Sequence, residues 1–502
     1  MPVAPEPPLR GDFATLAEAF DAAGEQLADV EAYVDGARRI TFGQWVRAAD
    51  GVAAGLAARG VRPGDVVAVM LPPSIDFAIA FAAIAKVGAV ATGLNIRLGP
   101  DEVAAISARC RPVLVFVGDG PRPGGLPEET ATIDRSTLQD LTLAPAPDGP
   151  AHRGAPGDPA VIVWTSGTTG LPKGAWFDHD NLRAAVTTAG AMTDPYDRRL
   201  MSVPFAHAGY LAKVWEQLVW ATTLVISPTP WSVDDMCRLL VEERISVAGA
   251  VPTQWAKLLE QPGLTRADVP ALRIGVAATA PAPPELVERV VERLGCPLVV
   301  RYAMTESPSI CGTEPGDAPE VLYRTVGRPQ AGLELSIRRD DGTEVAPGET
   351  GRVHVRGGCV MRGYWGEPEL TAETLVSDGW LRSGDLGHLD PAGNLVLDGR
   401  VGDMYIRGGY NVYPLEVENV LAEHPGVDQV AVVGAPAEVI GEIGVAFVVP
   451  TAGGGAPTVE DLRAWTRARL ADYKAPDRLV LVDALPLTSM MKVDKLALRA
   501  RL

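Results

Sequence analysis

Ala160-Val-Ile-Val-Trp164 runs straight into Thr165-Ser-Gly-Thr-Thr-Gly-Leu-Pro-Lys-Gly174, and this junction decides how the rest of the chain is read. Five consecutive apolar residues predict a buried strand. From Trp164 to Gly174 the chain carries three glycines, four hydroxyl side chains and one lysine. Glycines let successive backbone N–H groups turn inward, the hydroxyls donate further hydrogen bonds, and Lys173 adds positive charge, so the loop is built to cradle a polyphosphate. It is not a Walker A loop, because Gly167 and Gly170 are separated by two residues and Lys173 is followed by Gly174.

Upstream, Asp65-Val-Val-Ala-Val-Met-Leu71 and Val113-Leu-Val-Phe-Val117 predict two more strands, with a helix over 77–87 and an extended stretch over 89–94. Apolar residues at helical spacing run over 13–58. Downstream, Leu224-Val-Ile226, Val247-Ala-Gly-Ala-Val251 and Leu298-Val-Val300 alternate with helical patterns. This alternation predicts an α/β fold with largely parallel, doubly wound sheets, which bind ligands at their strand ends. Over 326–397 short strands and turns such as DDGT, PGETG and DPAGN replace helices, as in a small antiparallel sheet or barrel. After Gly399-Arg400, helices at Pro414–Ala422 and 459–470 and strands at 429–433 and 445–449 suit an α+β unit. The expected division is a large N-terminal domain over 1–401, with a barrel-like subdomain at about 326–398, and a C-terminal domain over 402–502.

A chain of 502 residues exceeds the roughly 250 to 300 that one core organises. Lysine and arginine total 45 against 63 aspartates and glutamates, and the net charge of −18 opposes nucleic acid or an anionic membrane as partner. Uncharged stretches such as 217–233 are shorter than the ~18 residues of a membrane helix and carry prolines, so no integral membrane segment is expected. The start, MPVAPEPPLRGD, is unlike a secretory signal, and a cytoplasmic location is expected. Cys110, Cys237, Cys296, Cys311 and Cys359 are scattered without a CxxC pair, as reduced core thiols would be.

The loop at 165–174 resembles the phosphate loop of the adenylate-forming superfamily, S/T-S-G-S/T-T-G-x-P-K-G, and further motifs follow in order. Tyr302-Ala-Met-Thr-Glu306 is similar to the family's Y-G-x-T-E, and Ser383-Gly-Asp385 to its T-G-D. Gly399-Arg400 with Asp403 and Gly409 resembles its G-R-x-x-D hinge segment, and Leu485-Pro-Leu-Thr-Ser-Met-Met-Lys492 its L-P-x-T-x-x-G-K. The likeness to acyl-CoA synthetases, peptide-synthetase adenylation domains and beetle luciferases covers nearly the whole chain. It implies attack of a carboxylate on the α-phosphorus of ATP, giving acyl-AMP and pyrophosphate, and then displacement of AMP by the thiol of CoA. Thr165, Ser166, Gly167, Thr168, Thr169, Gly170 and Lys173 would grip the phosphates, Thr305 the α-phosphate, and Glu306 a Mg²⁺ ion. Tyr302 would lie against adenine, and Asp385 would take the ribose hydroxyls with Arg400 nearby. Lys492 matches the lysine that neutralises charge between carboxylate and α-phosphate, with Lys495 a less well-spaced competitor. The C-terminal domain would swing to present first that lysine and then a thiol tunnel beside Gly409. Several positions depart from the family pattern: Gly402 at the hinge, where an aspartate or lysine is usual, Ala303 for glycine, Arg301 for an amide, and Met491 for glycine.

Pro204-Phe-Ala-His-Ala-Gly-Tyr210 resembles the segment closing the carboxylate end of the acyl pocket, which makes His207 the gate, a shape and hydrogen-bond element. Val251-Pro-Thr-Gln-Trp255 and 277–281 resemble acyl-lining segments, so Thr253, Gln254, Ala278, Thr279, Ala280 and Met304 are the pocket candidates. FAHAG offers no acid to pair with an amino-acid ammonium, which points to a fatty, cyclic or aryl acid. Two alternatives remain open from sequence: an adenylation enzyme serving an acyl carrier protein or another nucleophile, and a non-catalytic nucleotide-binding relative. A kinase is disfavoured by the lack of HRD and DFG motifs.

Overall fold

The structure is a computed structural model, and it describes residues 6–145, 154–165, 172–278, 284–407, 410–437, 440–451, 455–488 and 493–502. Among these residues the strands form four sheets. The Pro159–Thr165 strand belongs to a seven-stranded sheet, parallel to Val90–Gly93, Val66–Met70, Leu114–Val117 and Ala131–Ile133. On its other side it pairs antiparallel with Lys173–Asp178, with Thr165 opposite Lys173. A nine-stranded sheet holds Leu298–Met304, Ile274–Ala278, Val247–Ala250, Arg198–Met201, Thr223–Ile226 and Glu31–Asp35 in parallel, with antiparallel strands at both edges.

The run over 13–58 is not helical throughout. Helices Leu16–Gln26 and Phe42–Ala58 flank a hairpin of Glu31–Asp35 and Arg38–Thr41. Ala32, Tyr33 and Val34 are buried in succession because the strand is covered on both faces, and a strand buried on both faces shows no period of two. Thr41 caps the second helix, accepting from the Gln44 amide while the Gln44 side chain returns to the Thr41 N–H. The main core includes Phe20, Tyr33, Trp45, Phe77, Phe205 and Tyr210.

Leu333–Arg338, Gly351–Gly357, Leu375–Val376, Trp380–Leu389 and Leu395–Arg400 form an antiparallel sheet, the short-stranded unit expected from the turn-rich composition. The C-terminal sheet, centred on Val427–Ala437 and Gly441–Pro450, packs on Pro414–Ala422 and has its own core around Val417, Leu421, Val432, Ala446 and Leu462. The fold is α/β, with a large N-terminal part and a smaller C-terminal α+β domain. All five cysteines are free and four are buried. Among the described residues no helix is long and apolar enough to cross a membrane.

Candidate active site

Asp385 is buried on the Trp380–Leu389 strand, directly across from Arg400. Its Oδ1 accepts from Arg400 Nε at 2.7 Å and its Oδ2 from the Tyr302 hydroxyl at 2.5 Å. Burial first, and then the Asp385 charge, push the Tyr302 phenol up from its ordinary range, so it stays a neutral donor. A carboxylate offers about four lone-pair positions, so with two taken by Arg400 and Tyr302 two remain for a pair of hydroxyls. Asp385, Tyr302 and Arg400, far apart in sequence, therefore form one hydrogen-bonded group suited to a ribose diol.

Four residues beyond Tyr302, past half-buried Met304 and Thr305, Glu306 is buried with its Oε1 accepting from the Tyr364 hydroxyl at 2.7 Å. The Tyr364 ring also lies beneath the Lys173 ammonium, 5.6 Å from the ring centroid. Gly363–Tyr364 pairs with the Lys173–Asp178 strand, and the Trp365 N–H donates to the Gly174 carbonyl. Tyr364 thus joins the base of the glycine loop to Glu306. Sequence reasoning missed it, and its signal was an aromatic residue in a glycine-flanked GYWG turn. For a hard cation the donor set fits: a carboxylate whose Oε2 has no hydrogen-bond partner among the described residues is, together with phosphate oxygens, how Mg²⁺ is commonly held. Tyr364→Phe removes a hydrogen bond to a charged group, and we expect it to weaken Mg²⁺-dependent activity about tenfold, read as a raised Mg²⁺ requirement with ATP saturating.

His207 sits at the N-terminal end of the short Ala208–Leu211 helix, with Nε2 3.3 Å from Asn95 Nδ2. Its position is fixed by its neighbours, since the Phe205 and Tyr210 rings stack at 3.8 Å in the core and the Tyr210 hydroxyl bonds that of Tyr33 at 2.8 Å. Gln254 turns back to accept from the Val251 N–H, capping its own helix. Trp255 and Ala277, within the segments expected to line the acyl group, are buried on the opposite face of the nine-stranded sheet, where Trp255 donates to the Val276 carbonyl. Arg301 pairs with Glu314 at 3.4 Å and also donates to the Thr313 carbonyl. Ser166, Gly167, Thr168, Thr169, Gly170, Thr279, Ala280, Gly409 and Lys492 lie outside the described residues, as do the side chains of Thr253 and Ala278.

Just after Gly402, Asp403 is held by the last helix. Lys495 and Arg499 of the last helix lie 3.6 and 3.8 Å from its carboxylate, and Arg499 also donates to the Gly402 carbonyl at 3.4 Å. Lys495 is held more closely by Glu418, at 2.8 Å.

Two hydrogen-bonded groups lie four residues apart on one strand and turn, the second joined through Tyr364 to the strand that starts at Lys173, and the family match identifies the class as nucleotide-activating enzymes. Residues 20–365 match the AMP-binding enzyme family and residues 416–492 the AMP-binding enzyme C-terminal domain, and the chain belongs to this family. It is 34% identical over 477 residues to a feruloyl-CoA synthase of an Amycolatopsis species, covering 93% of this chain and 94% of that protein. It is 37% identical over 518 residues to a methyl-dioxo-octahydroindenyl-propanoyl:CoA ligase of Mycobacterium tuberculosis, covering 97% and 99%. The ATP-bound crystal structure of MatB from Rhodopseudomonas palustris superposes with a TM-score of 0.88 at 28% identity, covering 97% of this chain and 98% of that one.

Proposed function

We propose that this enzyme activates a compact cyclic or aryl carboxylic acid, with the two hydrogen-bonded groups of the site holding opposite ends of ATP. The reaction is that of an AMP-forming acid–thiol ligase: ATP and the acid give acyl-AMP and pyrophosphate, and the CoA thiol then takes the acyl group and releases AMP. The observation that carries the assignment is the placement of Tyr302 and Glu306 on one continuous segment, the first bonded to Asp385 and the second to Tyr364. Asp385 with Arg400 takes the ribose, and Tyr302 borders the base. Thr165 to Gly170 and Lys173 surround the β- and γ-phosphates, and Thr305 bonds the α-phosphate. Glu306 would hold Mg²⁺, which would supply positive charge against the polyphosphate. His207 closes the carboxylate end of the acyl space, with Gln254, Met304 and the 253 and 278–280 positions around the acyl group. The incoming acid is already ionised near neutrality, so no general base is required. Catalysis rests on alignment and charge neutralisation, to which Lys492 contributes from the C-terminal domain.

In this reading residues 1–401 and 402–502 act as separate bodies. The second reorients so that Lys492 serves adenylation and Gly409 then borders the thiol path. The names of the two relatives, feruloyl and a fused-ring propanoyl, support a compact ring-bearing acid. CoA is the acceptor rather than an acyl carrier protein, and the reaction takes place in the cytosol. ATP–pyrophosphate exchange over a panel of aryl, cyclic, fatty and amino acids should be acid-dependent and highest with ring acids, and added CoA should accelerate AMP release. Exchange without a CoA response would point to a carrier protein, and no exchange with any acid to a non-catalytic relative.

A further inference from the structure

The segment after His207 and the strand leading to Glu306 both run from exposed to buried residues, and an open space lies over Gly249. On that segment Gly209 lies in the Ala208–Leu211 helix, and Lys213 and Glu216, three residues apart and in contact, share one side at the start of the Val214–Trp220 helix. Their exposure falls in that order: Gly209 is exposed, the Lys213 side chain is 17% exposed and Glu216 is buried. On the strand, Ala303 is exposed, the Arg301 side chain is 12% exposed and Val299 is fully buried. Period-two alternation puts these three on one face, with Val247, Ile274 and Val276 as the floor. A methyl added at Gly249 on this floor would meet no described atom within 4 Å, so the space continues over it.

The inner end of this space is polar and carries excess positive charge. Lys213 Nζ reaches Ser309 Oγ at 3.1 Å, Thr188 Oγ1 at 3.3 Å and Glu216 Oε2 at 3.4 Å. Arg199 takes the other Glu216 oxygen at 3.0 Å. Burial alone would raise the Glu216 pKa, but Lys213 and Arg199 outweigh it and bring it down to about 2, so the carboxylate is ionised at ordinary pH. Arg301 stands across the space within electrostatic reach of Glu216, and its guanidinium Nε meets Met192 Sδ at 2.9 Å. Lys213 and Arg199 thus share one buried carboxylate, with Arg301 in its field. The ion-pair partner of Arg301, Glu314, is 44% exposed and screened by water, and the more distant Asp317 pairs with Arg328. Two hydroxyls satisfy hydrogen bonds of Lys213 but neutralise no charge.

A plain alkyl chain reaching this end would desolvate a cation and offer it nothing, which is costly. An oxygen acceptor placed there gains a charge-assisted hydrogen bond by taking over a Lys213 donor from one of the two hydroxyls. We propose that Lys213, backed by Arg301, selects acids that carry a second oxygen acceptor, a keto or carboxylate oxygen, at the far end of a compact body. The inference rests on the acid-activating reading above, with His207 at the reacting carboxylate. Lys213 lies six residues beyond His207, across the break between the two short helices, which separates the second acceptor from the reacting carboxylate.

The test pairs 3-(4-oxocyclohexyl)propanoate with 3-cyclohexylpropanoate. Each is converted to its acyl-sulfamoyl-adenosine, a non-reacting analogue of the acyl-AMP, and the dissociation constants are measured calorimetrically for wild type, Lys213→Met and the charge-balanced double variant Lys213→Met/Glu216→Gln. The wild type should bind the oxo analogue about tenfold or more tightly than its partner, in line with one hydrogen bond to a charged group. Both variants should lose or invert that preference. A wild-type ratio near one, or a ratio unchanged in the variants, overturns the proposal. If the single variant does not fold, the double variant, which leaves no unpaired buried carboxylate, carries the test. Pyrophosphate exchange run on the same wild-type protein tests the ligase reading separately, since the binding ratio does not depend on turnover.

Discussion

Replacing Asp385 by asparagine is expected to lower kcat/KM for ATP in pyrophosphate exchange by about 100-fold or more, while the protein remains folded. The two effects separate because of the partners Asp385 holds. In the structure Oδ1 receives Arg400 and Oδ2 receives Tyr302. An asparagine keeps an acceptor for Arg400, and the Tyr302 hydroxyl turns to accept from the new amide N–H, so the structural contacts survive. What is lost is the anionic acceptor for two hydroxyls, now faced by an amide of which half is a donor. Arg400, whose side chain is half exposed, keeps access to water for its charge. Thermal unfolding should therefore change little, whereas acid-dependent exchange at subsaturating ATP should collapse. Tyr302→Phe, which removes one donor and leaves the carboxylate, should have the smaller effect of the two. Equal losses in both variants would assign Asp385 to holding Tyr302 in place rather than to binding nucleotide.

Lys492→Ala is expected to reduce acyl-AMP formation by about 100- to 1000-fold, the loss typical of removing one group that stabilises developing charge. Thioester formation from supplied acyl-AMP should stay within a few-fold of wild type, because that step no longer joins two anions. Lys495→Ala is the control. That ammonium is 2.8 Å from Glu418 and 3.6 Å from Asp403, so its task lies within the C-terminal domain, and its removal should affect both half-reactions slightly and alike. Equal loss of both half-reactions in Lys492→Ala would remove it from the adenylation step.

Much of the architecture was legible because the apolar runs 66–70, 114–117 and 159–165 are buried on both faces, and such strands announce themselves by composition alone. Arg198–Met201 did not, since it opens with two arginines that pair with Glu31, Glu243 and Glu216. The hairpin at 31–41 hid inside a longer apolar pattern whose helical phase came from its neighbours. At the site, short motifs exposed Asp385 and Glu306, but Tyr364 is joined to Glu306 across 58 residues and two different sheets. The segments 251–255 and 277–281 were expected to line the acyl group, and sequence proximity did not say that Trp255 and Ala277 within them take the other face of the sheet. Arg301, a departure from the family pattern, showed no partner in the sequence because Glu314 meets it from thirteen residues away.

The ties on either side of Gly402 set the mechanics of the junction. Arg400 is fastened to Asp385, the Val401 N–H to the Gly384 carbonyl, and Asp403 to the tail helix. Only one residue lies between the fastenings, too little slack for a tether, since a residue spans at most about 3.6 Å. In the proposed reorientation the junction would act as a swivel. Torsion at Gly402, with release of the turn bonds from Asp403 and Met404 to the Arg400 carbonyl, would turn the C-terminal body about a nearly fixed point, so its arc would be set by dihedral freedom rather than by linker length, and lengthening the chain there would blunt the alignment instead of extending its reach.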